Sequence, residues 1–170
     1  MNRVLAAVGV VFLIAGCSGG STLPDESASP PSDVSRQADI YEAIVTEAGQ
    51  DFGDLWIVDQ ICADAGATSE PGGCEPMSPE LKAALQERFP KAQFTDDPSN
   101  MQSRFVNKQG TAPAGIIVYK FGPVSGSGDR VEVPASYWCG GLCAYGTTHV
   151  VEMIDGTWKV TGSAGPIMQA

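Results

Sequence analysis

The dipeptide Asp155-Gly156 constrains this chain more than any other feature, because it lies between two runs of β-branched and aromatic residues, 144–154 and 157–162. A two-residue Asp-Gly loop needs left-handed backbone at both positions, and its twist suits a tight antiparallel hairpin. That loop sets the register. Ile154 is expected opposite Thr157, Met153 opposite Trp158, Val151 opposite Val160, and Glu152 opposite Lys159 on the other face. Apolar then meets apolar and opposite charges meet.

A second turn through Gly140-Gly141-Leu142 places Cys139 against Cys143 and Tyr137 against Tyr145. Carried onward, it sets Val133 opposite His149 and Val131 opposite Val151, so one face carries Val131, Val133, Tyr137, Val151, Met153, Trp158 and Val160. With residues 115–121 as a further run, the C-terminal half predicts a four-stranded antiparallel meander. Upstream, Asp33 or Ser32 can cap a helix with apolar positions Val34, Ala38, Tyr41, Ile44, Val45 and Ala48, stopped by Gly49. A strand is expected at 54–59, a loop from Cys62 to Pro76, and a helix from Ser78-Pro79-Glu80 to Pro90. A short strand at 92–95 and a weak helical turn at Asp97-Pro98 complete the pattern. The fold class read from this order is α+β, with N-terminal helices packed on one face of a C-terminal antiparallel β-meander.

The N-terminus reads as export. Met1-Asn2-Arg3 precedes an apolar run to Ala15 that is too short for a membrane span, which needs roughly twenty apolar residues. It ends in Ile14-Ala15-Gly16-Cys17, which resembles the lipobox of bacterial lipoproteins. The resemblance implies a signal peptide at 1–16, removal of that peptide, and lipid on Cys17. Ser18 follows the cysteine, which in Gram-negative members of the class goes with routing to the outer membrane. Acyl chains contribute about 0.8 kcal/mol per buried methylene, so two or three hold a protein firmly on a membrane. Residues 17–33 are rich in Ser, Gly, Pro and acid and read as a tether spanning roughly 20 to 25 Å, leaving 34–170 as a single domain. The closing Asp155-Gly156-Thr157-Trp158-Lys159-Val160 resembles small exported domains of the cone-shaped nuclear-transport-factor-2-like type. With the Cys139-to-Cys143 turn, it also resembles bacterial lipoproteins carrying a Cys-Gly-Gly-x-Cys turn.

Net charge is −10, and the acid is concentrated early: residues 17–100 hold 16 acidic and 4 basic side chains. Such a chain is repelled by nucleic acid, which is not an expected partner. In an oxidising compartment Cys62, Cys74, Cys139 and Cys143 read as disulfides, with sequence proximity favouring Cys62–Cys74 and Cys139–Cys143. Neither gap resembles a zinc knuckle, and Asp51, Asp54, Asp59 and Asp64 lack calcium-loop spacing, so no metal is expected. No cofactor fingerprint and no hydrolase elbow occurs, so no catalytic residue is assigned. His149, the only histidine, is the candidate ligand-binding residue, expected on the packed face between Val133 and Gly162. The leading reading is a non-enzymatic envelope lipoprotein that binds a small molecule or an envelope protein, held on the membrane through its N-terminal lipid. A small cavity enzyme using His149 with a carboxylate, and a purely structural envelope component, are the alternatives. Cys17→Ser should leave a full-length precursor that incorporates no labelled palmitate, whereas processing and labelling of that variant would refute the lipobox reading.

Overall fold

A computed structural model describes residues 33–49, 53–66, 73–96, 115–141 and 143–170. The signal peptide and tether expected up to residue 32, Asp51 and the helical turn expected at Asp97-Pro98 lie outside them. Within them run α1 (Asp33–Glu47), β1 (Asp54–Cys62), β2 (Cys74–Pro76), α2 (Pro79–Arg88) and β3 (Gln93–Thr95). They are followed by β4 (Ile116–Phe121), β5 (Ser125–Ser127), β6 (Arg130–Gly140), β7 (Cys143–Ile154) and β8 (Thr157–Gln169).

The expected fold class is overturned. The described residues are mostly β, with two short helices and one mixed eight-stranded sheet of order β2-β1-β4-β6-β7-β8, to which β3 adds on β1 and β5 on β6. The architecture is therefore not one of helices packed on a C-terminal meander. The consecutive antiparallel pairs β4–β6, β6–β7 and β7–β8 are present, but β1 joins them by pairing parallel to β4, and β3 lies parallel to β1. Parallel pairing of segments some sixty residues apart has no local signature, since hairpin chemistry reports only adjacent antiparallel strands.

Local signals act where the chemistry requires them. Ser78 accepts the Leu81 amide at 3.1 Å and Pro79 opens α2, while Gly49 closes α1 at φ +61° with its N–H on the Thr46 carbonyl. Asp155 and Gly156 both have positive φ, 52° and 76°, a type I′ turn, and the pairs Ile154–Thr157, Met153–Trp158, Glu152–Lys159 and Val151–Val160 follow. Tyr137 lies opposite Tyr145, Val133 opposite His149 and Val131 opposite Val151. Two places differ. At the β6–β7 turn a bulge sets Gly140, not Cys139, against Cys143, and in β8 a bulge at Thr161 sets Ser163, not Gly162, against His149.

One sheet face carries Ile57, Ile117, Tyr119, Phe121, Val131, Val133, Ala135, Val151 and Trp158, which share a core with Ala38, Ile40, Tyr41, Ile44, Leu81 and Leu85 of the helices. A smaller cluster of Val58, Ile116 and Val118, with Trp56 and Trp138 against it, occupies the other face. Tyr41 locates α1: its ring stacks on Phe121 at 4.3 Å and its hydroxyl donates to the Gly122 carbonyl at 2.9 Å. Burial pushes the Tyr41 phenol up to about 12, so it remains a donor at any physiological pH. Arg88 of α2 ties the helices together through Asp39, Glu42 at 3.3 Å and the Ser35 carbonyl at 3.3 Å.

Gly122 lies where the helix, β6 and the end of β1 converge. A Cβ there would stand 2.9 Å from the Pro134 Cβ, 3.0 Å from its carbonyl oxygen and 3.1 Å from that of Cys62. Gly122→Ala is expected to cost about 1–3 kcal/mol by forcing backbone apart. Tyr41→Phe, which keeps the stack and removes the bond, should cost about 1–2 kcal/mol. Urea denaturation of both variants checks the ranking, and an alanine at 122 without penalty would refute the close approach.

Candidate functional site

The outer flank of α1 presents Arg36, Asp39, Ala43 and Thr46, spaced three and four residues apart and so aligned in one stripe. Opposite stands the end of the β7–β8 hairpin with Met153, Trp158 and Val160, and the β5–β6 turn adds Gly128 and Asp129. Between these walls lies a cleft of about 970 Å³. Its size is at the upper end of ligand sites, and its floor is apolar, as binding clefts commonly are.

Arg36 links the α1 wall to the β5–β6 turn and to Trp158. Its Nη2 donates to the Gly128 carbonyl at 2.8 Å, and its guanidinium lies 5.0 Å from the Trp158 ring centroid. This cation on the indole face is the geometry by which an aromatic quadrupole attracts positive charge. Four carboxylates line the walls: Asp39, Glu42, Glu47 and Asp129. Asp39 and Glu42 share the single positive charge of Arg88. Among the described residues Glu47 and Asp129 hold no ion pair, and neither do the two lining cations Arg36 and Lys159, the latter across the ladder from Glu152.

His149 is elsewhere on the same sheet face. It is 7% exposed and stands at the end of a row of rings crossing the sheet: Phe121 to Tyr119 at 5.7 Å, Tyr119 to Tyr137 at 5.5 Å, Tyr137 to Tyr145 at 5.7 Å and Tyr145 to His149 at 6.3 Å. Burial raises the Tyr119 and Tyr137 phenols, and the Glu47 carboxylate adds to the effect. The imidazole is not among the side chains lining the α1 cleft, and no carboxylate among the described residues is ion-paired with it.

Cys62 and Cys74, whose Cα atoms are 4.1 Å apart, lie at disulfide distance and clip β2 to the end of β1. Cys139 and Cys143 do the same across the β6–β7 turn, with Cα atoms 5.1 Å apart. Cys17 lies outside the described residues. Asp64 approaches Cys62 and Cys74 within 4.8 Å, but sulfurs joined to each other are not thiolate ligands, and Lys120 engages Asp64 at 2.6 Å. Asp59 likewise pairs with Lys82 at 2.9 Å, so these acids are spread over separate ion pairs rather than gathered at one centre.

The cleft residues escape sequence reading for a physical reason: a stripe of Arg36, Asp39, Glu42 and Thr46 has the composition of a solvated helix flank. Only the proximity of Trp158 turns it into a wall. No family model, curated relative or solved structure matches this chain.

Burial pushes the His149 imidazole down from 6.5 to about 4. The unfolded chain therefore binds a proton on this ring that the folded chain refuses between those values. Its stabilising contribution is complete above pH 6.5 and is lost as pH falls towards 4, on the order of 3 kcal/mol in all. His149→Leu should flatten this part of a stability-versus-pH curve measured by urea denaturation. An imidazole resonance titrating near 6.5 in the native protein would contradict the burial.

Proposed function

We propose that the chain is an exported lipoprotein, anchored to the envelope membrane through Cys17, whose domain binds a ligand or envelope partner in the α1–hairpin cleft without catalysing a reaction. The lipobox supports the anchoring, and the Ser18 neighbour supports outer-membrane placement in a Gram-negative host. One observation carries the binding reading: a large cleft floored by Trp158, Met153 and Val160 and flanked by the α1 stripe, with Arg36 already fixed in place across it. Fixed walls reduce the ordering cost of association, so a preformed cleft between a helix and a hairpin retains more of its contact energy as affinity.

The test uses the acylated protein in its own envelope, with a photoreactive amino acid in place of Thr46 on the cleft wall. A discrete crosslinked species is expected, and Ala43→Trp, which fills the cleft from the helix side, should remove it while circular dichroism stays unchanged. A crosslinking pattern indifferent to Ala43→Trp, or no crosslink at all, would overturn the reading.

A further inference from the structure

Away from the cleft, the end of β1 gathers three side chains that are metal ligands by type. The sulfurs of Cys62 and Cys74 and a carboxylate oxygen of Asp64 all lie within 4.8 Å of one another. The backbone puts them there. Cys62 faces Cys74 at the end of the β1–β2 ladder, and the Ala63 N–H carries the pairing one step further by donating to the Gly73 carbonyl at 3.1 Å. A tight turn follows at once, in which the Ala65 N–H donates to the Cys62 carbonyl at 3.0 Å and Asp64 is carried back towards the sulfur two residues before it. None of these bonds involves the disulfide. The three side chains therefore stay neighbours when it is opened.

In the oxidised chain the two sulfurs hold each other and the site is closed to a cation. Cys62 is 1% exposed and Cys74 is exposed, so a dithiol reductant has one sulfur within reach. Its first thiolate attacks the Cys74 sulfur and Cys62 leaves as a thiolate; its second thiolate then breaks the mixed disulfide, releasing Cys74 and leaving the reductant as the disulfide. Two electrons pass to the pair, and the reductant's two thiol protons go to solvent. We propose that Cys62, Cys74 and Asp64 then form a redox-gated zinc site, so that the oxidised clip and the metal centre are alternative states of the same two cysteines.

The donor set selects the ion. Two thiolates and a carboxylate suit zinc, whereas calcium and magnesium take oxygen ligands throughout. In a tetrahedral zinc site the ligand atoms stand about 3.5–3.8 Å apart, a spacing that rotation of side chains on this backbone can reach. Three protein ligands leave the fourth position to water. Lys120 completes the charge balance: its ammonium bonds one Asp64 oxygen at 2.6 Å, which orients the carboxylate and leaves its other oxygen for the metal. The three negative ligands are then matched by the zinc ion together with that ammonium. Cys62 and Cys74 are 12 residues apart, too far for a zinc knuckle, and only strand pairing brings them together.

The test uses the full chain in detergent micelles with Cys17→Ser, Cys139→Ser and Cys143→Ser, which leaves this pair as the only thiols. Reduced with a phosphine under argon, it is titrated with Zn2+ against a chromophoric chelator and, in parallel, with Co2+ as a spectroscopic substitute. One ion per chain is expected, and the cobalt form should show the charge-transfer band of thiolate ligation. Asp64→Asn should weaken binding about tenfold or more, and the oxidised chain should bind no ion at this affinity. Circular dichroism separates ligation from folding. A chain that stays folded on reduction and binds zinc supports the site, as does one that unfolds and regains its β spectrum with one equivalent of zinc, since metal binding and folding are then one equilibrium. A reduced chain without stoichiometric binding, equal binding by the oxidised chain, indifference to Asp64→Asn, or a cobalt spectrum without sulfur ligation would overturn the inference. None of these outcomes bears on the cleft, whose reading stands or falls with the Thr46 crosslink.

Discussion

The close approach at Gly122 governs what the rest of the molecule can do. Three elements meet on one residue without a side chain: its amide donates to Pro134 at 2.7 Å, its carbonyl accepts from Tyr41, and its Cα faces the Cys62 carbonyl. Tyr41 can reach that carbonyl only because its ring stacks on Phe121 one residue earlier, so helix position and strand position are set together. Arg88 then holds α2 to α1 through Asp39 and Glu42, a partly buried guanidinium with several acceptors, which is stiffer than an isolated surface pair. The cleft exists because α1 is held at this distance from the hairpin. Its outer flank is left facing Trp158 with room between.

How much of this was legible follows from how far apart the interacting residues are. The β7–β8 register could be written from Asp155-Gly156, because a turn of fixed twist leaves one alignment in which Met153 meets Trp158 and Val151 meets Val160. The same logic failed a few residues further on. Thr161 bulges out of the ladder, which moves Ser163 opposite His149, and a bulge leaves no mark in alternation when Gly162 and Ser163 follow it in place of an apolar residue. Gly162, Gly165 and Pro166 read as the end of a strand, yet β8 runs to Gln169 because β7 is long enough to carry it. The parallel pairing of β1 with β4 was the largest loss, and it changed the fold class from helices on a meander to a mixed sheet.

The candidate site was less legible than the fold. Trp158 was assigned to the packed face and is indeed 7% exposed, but what covers it is partly an arginine side chain rather than apolar atoms. A guanidinium stem shields apolar surface while its head stays polar, so one residue can serve as core and as cleft wall. His149 was singled out because it is the only histidine. Its ring ends a row of aromatics, with Val133 beside it and burial as the only resolved influence on its titration. That is the environment of a neutral packed ring, and rarity in the sequence carried no information about it.

The two halves of β8 are guarded against edge pairing in different ways. An uncharged edge such as residues 160–170 invites indiscriminate pairing, and Ile167 and Met168 are exposed at its far end. There the backbone is broken by Gly165 and Pro166, and the Pro166 carbonyl is drawn inward by the Thr147 hydroxyl at 3.2 Å, so a strand approaching from outside finds few aligned groups. At the near end the ladder is regular from the turn to Val160, and the outward groups of Trp158 and Val160 stay in phase. Lys159 and Asp155 place charge beside this stretch, which opposes pairing with an unmatched strand.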